Sequence, residues 1–416
     1  MRELNYLNKI KITMKYFITC FFTVLMLSIC INLFAQRPNI KIGITKNVPV
    51  IELKGTGHQR GLQHGKVLKT EIAEVFIKWK NSIQNDAKQN ADTVITAFLK
   101  ATNFKSAILK HTPEIYEEIK GISESSGQSF QDVLTFQLLD EFWVYIDRIN
   151  NIQNHHCSAI GMAATNTHPA YVSQNMDLES YMNGYQILLH IASTPKEPEQ
   201  YLLSCAGLVA LNGVNSKGIG LCTNTLMDLN ASANGLPVSC VVRGVLAQKD
   251  GESALKFLKT VPHASGQNYT LGTIEKVYDF EASANKVVRY LPDPTNEALV
   301  YHTNHAISND DVKPWHQAFQ KKILAGETNN NSVIRFISLK KRLNIPALET
   351  NDNVLKQVYR SKDDPKNPVC RTFQEGKSGF TFSSVVFTLG KNPSIQLTNG
   401  SPDQSEYILH KFTSDK

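Results

Sequence analysis

Through residues 60–145 apolar side chains recur every three or four positions, the spacing of a helix with one buried face. The stretches 71–79, 115–122 and 132–143 all show it, and Gly121 and Gly127 stand where helix ends and turns are expected. Past Cys157 the period shortens. Segments 170–175, 186–192, 199–205, 208–214 and 218–223 are short apolar or alternating runs between Gly, Asn and Pro, and predict strands. Helical spacing returns at 237–247 and 332–343, and strands resume at 276–281, 286–291 and 380–389. Strands clustered with helices between them predict an α+β architecture, with helices packed on antiparallel sheets.

The start of the chain follows a different rule. Lys9, Lys11 and Lys15 precede an apolar run, 16–34, that closes on Phe34-Ala35-Gln36. A positive segment, an apolar core and a small residue at the end predict an export signal over 1–35, and so a periplasmic or secreted protein. The run also approaches the length of a bilayer span, and Cys30 follows a weak lipoprotein-like box, so a membrane-anchored form stays open. The formal charge is +7, but Arg2, Lys9, Lys11 and Lys15 against Glu3 put +3 of it in this leader. The remaining +4 is too mild to argue for nucleic acid, and no basic patch interleaved with aromatics appears. A homo-oligomer is compatible with this composition.

Five cysteines follow the leader, and an odd number leaves at least one thiol unpaired. Cys205, Cys222 and Cys240 lie in apolar stretches and read as small core residues. Cys157 follows Asn154-His155-His156, polar neighbours that predict an accessible thiol. His155, His156, Cys157 and His168 match no zinc spacing, and neither a metal nor another cofactor is expected.

A thiol nucleophile needs a group that takes its proton or stabilises its charge, and donors where an oxyanion will form. Asp177 lies 20 residues beyond Cys157, where a hairpin returns it beside the thiol. Further on come Asn224 in Thr223-Asn-Thr225, Asn304 in His302-Thr-Asn-His305, and Arg335 in Asn331-Ser-Val-Ile-Arg335. Asn212, Gly213 and Asn215 read as turn residues.

In order and company these residues resemble the N-terminal-nucleophile hydrolases of the penicillin acyltransferase-like branch, which are related to choloylglycine hydrolases and acid ceramidases. The resemblance takes in the glycine-rich Gly55-Thr-Gly-His-Gln-Arg-Gly-Leu-Gln-His-Gly65 and Ser383-Ser-Val-Val-Phe387, so it spans the chain beyond the leader. It implies an αββα sandwich of two antiparallel sheets flanked by helices. It implies a precursor that cuts itself between His156 and Cys157. The helical pro-segment 36–156 would then stay associated, as an α chain, with the catalytic β chain 157–416. In this reading Cys157 attacks through sulfur and its freed α-amino group, with an ordinary pKa of about 7.7–8.0, is the base. Asp177 orients that amino group, the Asn304 side chain and the Asn224 backbone amide form the oxyanion hole, and Arg335 lies near the thiol. His156 departs from the Gly or Asp usual before the nucleophile, and Arg243 competes with Arg335 for the arginine role.

The activity so implied is cleavage of linear amide bonds in small N-acyl compounds such as N-acyl amino acids or fatty acid amides. Transfer of the acyl group to an amine is the alternative, since it uses the same residues. A papain-like protease would place its cysteine on a helix, and a non-catalytic exported binding protein would show no self-cleavage. Specificity is expected in the loops 181–185 and 227–236.

Overall fold

The computed structural model describes residues 47–150, 156–327, 330–343 and 351–412. The leader and Asn154-His155 therefore lie outside the described residues. Among the described residues no helix is long and apolar enough to cross a membrane.

Helices fill the first third of the described chain, and their ends are set by local chemistry. Thr56 and Gln59 form a capping box that starts Gly57–Val67. Pro113 opens Pro113–Ser126, which Gly127 ends at φ +80°. Asn90 and Ser129 cap two further helices through their side chains. The glycine-rich stretch has a packing reason. Gly57, Gly61 and Gly65 recur every four residues, and the first helix lies on Pro113–Ser126 along that face. A Cβ at Gly61 would stand 2.0 Å from the Glu118 carbonyl oxygen, so only glycine permits the approach.

Two sheets follow. β1 (Val50–Leu53), β4 (Gln186–Ile191), β5 (Gln200–Cys205), β6 (Asn212–Asn215), β7 (Gly220–Thr225), β8 (Gln267–Gly272), β9 (Val277–Ala282) and β10 (Val287–Tyr290) form one sheet in that order. The second runs β11 (Leu299–His302), β2 (Ser158–Met162), β3 (Tyr171–Glu179), β12 (Gly379–Thr388), β13 (Ser394–Leu397) and β14 (Ile408–Lys411). All pairings are antiparallel except β1 with β4. β2 and β3 face β7 and β8 across the sandwich, while Val238–Leu246 packs on β6 and β7 from outside. Ile160, Tyr171 and Val386 bury their side chains under Leu339, Leu355 and Tyr359 of two helices on the other outer face. The fold is the expected α+β sandwich of helix, sheet, sheet and helix layers.

Ahead of the helices, β1 joins the sheet built from residues after Cys157. One reading needs correction. The predicted strand 208–214 begins only at Asn212. Gly207 at φ +87° turns the chain, and Leu208 donates back to Cys205, so the apolar Leu208, Val209 and Ala210 are buried in the irregular stretch after that turn.

One polar cluster sits inside the helical part. Glu118 accepts from Arg60 Nε at 2.9 Å and from Arg243 Nη1 and Nη2 at 2.8 and 2.9 Å, with all three side chains buried. Burial alone raises a carboxyl pKa, but the charges of Arg243 and Arg60 outweigh it here and hold Glu118 at about 2. Glu118→Gln leaves the buried Arg243 without its hydrogen-bonded counter-charge and Arg60 with only Glu197 at 3.6 Å. Urea unfolding at pH 7 should show a loss of about 3–5 kcal/mol.

Candidate active site

The hairpin expected from the Cys157–Asp177 spacing is present. Ser158 pairs with Asn175 in the β2–β3 ladder, which brings Cys157 alongside Met176 and Asp177. The Cys157 thiol donates to the Asp177 carbonyl oxygen at 3.7 Å and lies 3.6 Å from Met176 Sδ. It is not accessible, contrary to the reading from its polar neighbours. The helix Leu139–Asn150 packs over it, and Asp140 and Trp143 share with it a cavity of about 40 Å³. That has room for about three waters. Burial first, then the nearby Asp177 charge, push the thiol up to about 12, so in this state it is protonated and weakly nucleophilic.

Asp177 is the least satisfied group of the site. Both its carboxylate oxygens are buried and without a hydrogen-bond partner, and Arg371 Nη1 reaches Oδ2 only at 4.0 Å. Burial pushes its carboxyl up to about 6, although the Arg371 charge, the Thr381 hydroxyl beside it and the Arg335 charge pull the other way.

Arg335 gathers the remaining pieces. It lies one turn after Asn331 on the helix Asn331–Leu343, and its guanidinium is fully buried. Nη1 donates to the Cys157 carbonyl at 2.5 Å and to Ser158 Oγ at 2.9 Å. Nη2 donates to Asn304 Oδ1 at 2.9 Å and Nε to Asn331 Oδ1 at 2.8 Å. The same Asn331 oxygen meets His156 Nδ1 at 2.7 Å, so one helical turn grips residues on both sides of the 156–157 bond. Arg243, the competing arginine, is spent on Glu118 and makes no such contact.

Asn304 spans the gap between the sheets. Its backbone N–H donates to Ser332 Oγ at 2.7 Å and its Nδ2 to the Thr225 carbonyl at 3.0 Å. With Oδ1 fixed by Arg335, the amide can turn only its Nδ2 toward the Thr225 side, and Thr225 borders the Cys157 cavity. Glu281 anchors the loop that carries Asn304. It accepts from the backbone N–H groups of Ile307, Ser308 and Asn309 and pairs with His302 Nε2 at 2.8 Å. Burial would discharge His302, but Glu281 and Asp279 push it up to about 9, which keeps it cationic.

Asn224 sits on β7 between Thr223 and Thr225, two residues that line the Cys157 cavity. Its side chain is committed to a buried row. It accepts from Gln174 Nε2 at 2.9 Å and donates to Asn268 Oδ1 at 3.2 Å, and Asn268 donates on to Asp279. Gln174 accepts in turn from Asn212 at 2.7 Å. Asn212 and Gly213 are thus strand residues and not turn residues. Asn215 does close the following turn, accepting from the N–H groups of Lys217 and Ile219.

A second cavity, of about 500 Å³, adjoins the small one and shares Trp143, Asp177 and Leu178 with it. Its size is that of small-molecule sites. His156, Tyr181, Arg371 and the apolar Trp79, Ile83 and Phe142 are among its walls. Of the two loops expected to set specificity, 181–185 contributes Tyr181, whereas no residue of 227–236 reaches either cavity. Arg371, Ser158 and Asn331 are site neighbours that the sequence reading did not assign. Asn331 was within reach of it, because a spacing of four from Arg335 puts both on one helix face.

The family model for acyl-coenzyme A:6-aminopenicillanic acid acyl-transferase matches residues 165–403, more than half of the chain. The chain belongs to this family. The matched span holds Asp177, Asn224, Asn304 and Arg335, and Cys157 lies just before it. The acyl-coenzyme A:6-aminopenicillanic-acid-acyltransferase 40 kDa form of Emericella nidulans is 21% identical over 360 residues, 85% of this chain and 94% of that protein. Protein dcd1A of Dictyostelium discoideum is 28% identical over 131 residues, 28% of this chain and 30% of that one. Membership makes the chain an enzyme of the acyl-transferring class, which takes in N-terminal-nucleophile hydrolases and acyltransferases.

Proposed function

We propose that the chain cuts itself between His156 and Cys157, and that the freed Cys157 hydrolyses linear amide bonds of N-acyl compounds. The observation that carries this reading is the buried Asp177 carboxylate, reached by Arg371 only at 4.0 Å, on the residue whose carbonyl accepts from the Cys157 thiol. A cut before Cys157 creates an α-ammonium next to that carboxylate, and the two satisfy each other. An α-amino group with an ordinary pKa of about 7.7–8.0 releases its extra proton to solvent in a share of molecules near neutral pH, and that neutral amine takes the thiol proton as Sγ attacks the substrate carbonyl. Collapse of the tetrahedral intermediate breaks the C–N bond, and the proton leaves with the amine. Water opens the thioester, releasing the acid and restoring the thiol. Asn304 Nδ2 and the Asn224 backbone N–H would stabilise the oxyanion in both halves, while Arg335 holds the Asn304 amide the right way round.

The second reading is acyl transfer, in which an amine and not water opens the thioester; the name of the Emericella nidulans relative favours it. An export signal over 1–35 favours hydrolysis, since acyl-coenzyme A is cytoplasmic. The pro-segment remains bound after the cut in either case. β1 is hydrogen-bonded to β4, and Glu118 on one side of the cut is paired with Arg243 on the other.

The intact mass of purified protein tests the reading. At 46.5 kDa over 416 residues, the segments 36–156 and 157–416 correspond to about 14 and about 29 kDa. Both should co-purify, the larger beginning at Cys157. A wild-type chain that remains whole after prolonged incubation sinks the proposal.

A further inference from the structure

We infer that Arg371 is the anchor for a carboxylate on the amine side of the scissile bond, which makes N-acyl amino acids with a free carboxylate the substrate class. The inference rests on the amide-hydrolase reading above and narrows it.

The cavity of about 500 Å³ brings Arg371 to the one place where the leaving amine must pass. To collect its proton, the scissile nitrogen has to come within hydrogen-bond reach of the Cys157 α-amine. That amine stands beside Asp177, and Arg371 Nη1 is 4.0 Å from Asp177 Oδ2. In an N-acyl-α-amino acid the carboxylate is borne on the carbon attached to that nitrogen, so it arrives at the guanidinium.

Arg371 is both held and unspent. Its backbone N–H donates to Thr381 Oγ1 at 2.9 Å, and its carbonyl accepts from the Thr381 N–H at 2.8 Å. Thr381 is itself the cross-strand partner of Asp177 in the β3–β12 ladder. Two hydrogen bonds therefore fix the Arg371 backbone in register with the catalytic strand. The side chain crosses Gly379, where a Cβ would come 3.2 Å from Nη1. Among the described residues the guanidinium donates no hydrogen bond, and the Asp177 contact is too long to be one. A planar donor fork left unengaged on a cavity wall suits a bidentate carboxylate.

The other cavity charges agree with an anionic ligand. Lys78 and Lys377 join Arg371 on the walls, against Asp86, Asp177 and Glu179. Asp177 is matched by the α-ammonium once the chain is cut, and burial pushes Glu179 up to about 7. The balance left is positive. Trp79, Ile83, Phe142 and Ile146 supply an apolar wall for the amino-acid side chain.

The test compares N-octanoyl-phenylalanine with its carboxamide, which keeps the shape and removes the charge, using wild-type, Arg371→Gln and Arg371→Lys protein. Wild type should prefer the acid in kcat/KM by about 10- to 100-fold, the range of a charge-assisted carboxylate contact. Arg371→Gln should collapse that ratio toward one, and Arg371→Lys should restore part of it. Equal rates on acid and carboxamide in wild type overturn the inference. So does an Arg371→Gln enzyme that loses both substrates together with its ratio intact, because Arg371 would then act through Asp177. Protein that has cut itself but turns over neither compound sinks this inference and leaves self-cleavage standing. Protein that has not cut itself sinks both.

Discussion

Cys157→Ala should yield a chain that is never cut and turns over amides at least about 10⁴-fold more slowly than wild type, the scale of loss when a nucleophile is removed. Two independent losses combine in it. Without sulfur there is no N-to-S acyl shift to open the 156–157 bond, and without the cut there is no α-amine to serve as base. The structure adds a reason why the uncut chain should be silent even with its thiol present. Cys157 itself lines only the cavity of about 40 Å³, too small for an acyl amide, and its thiol is raised to about 12. At pH 8 about one molecule in 10⁴ would carry a thiolate, against roughly one in four for a free cysteine. Native thiol labelling separates the states. Cys205, Cys222 and Cys240 are fully buried in apolar surroundings and Cys370 is buried beside Asp403, so the background should be near zero. Wild type should show one fast-labelling thiol per cut molecule, and Cys157→Ala none. Residual amide turnover above a thousandth of wild type in Cys157→Ala would remove Cys157 from the chemistry.

The sequence carried the parts of this site that depend on local periodicity. A strand, a turn and a second strand over 20 residues return Asp177 to Cys157 in any hairpin of that length, and the helix spacing around Asn331-Ser-Val-Ile-Arg335 carries Arg335 to one face. What stayed hidden depends on packing from afar. The polar residues before Cys157 argued for exposure, yet the helix Leu139–Asn150 covers it, and no pattern near residue 157 announces that. β8 reads poorly as a strand because Asn268 and Thr270 spend their side chains in a buried polar row with Asp279, which breaks the apolar alternation. The stretch 208–211 errs the other way, since an apolar run looks alike in a strand and in a mostly buried irregular segment. β1 is a four-residue edge strand, legible only through its partner β4. Arg371 follows no motif, and its place comes from the Thr381 ladder contact.

Asp177→Asn should separate stability from function. In the uncut chain the carboxyl stands at about 6 against an ordinary 3.8, chiefly because burial penalises its charge. The folded form therefore binds more protons than the unfolded chain between these values, and the stability Asp177 allows falls as pH rises through about 4 to 6. At about 1.4 kcal/mol per unit of pH the gap corresponds to up to about 3 kcal/mol. Asparagine has no charge to desolvate. In a Cys157→Ala background, which cannot cut itself, Asp177→Asn should raise the melting temperature at pH 7.5, and the gain should vanish by about pH 4. Urea titrations across that range measure it, and a loss of stability at pH 7.5 would mean the carboxylate already has a partner in the uncut chain. Catalysis should move in the opposite direction. With wild-type Cys157, the α-ammonium produced by the cut would face a neutral amide that neither balances its charge nor fixes its orientation. Turnover per cut molecule should fall by at least about 10²-fold, the typical contribution of a positioned base. A residue kept at a cost to the precursor and required by the product is what a latent nucleophile demands, because the burial that destabilises Asp177 before the cut strengthens its hold on the α-ammonium afterwards.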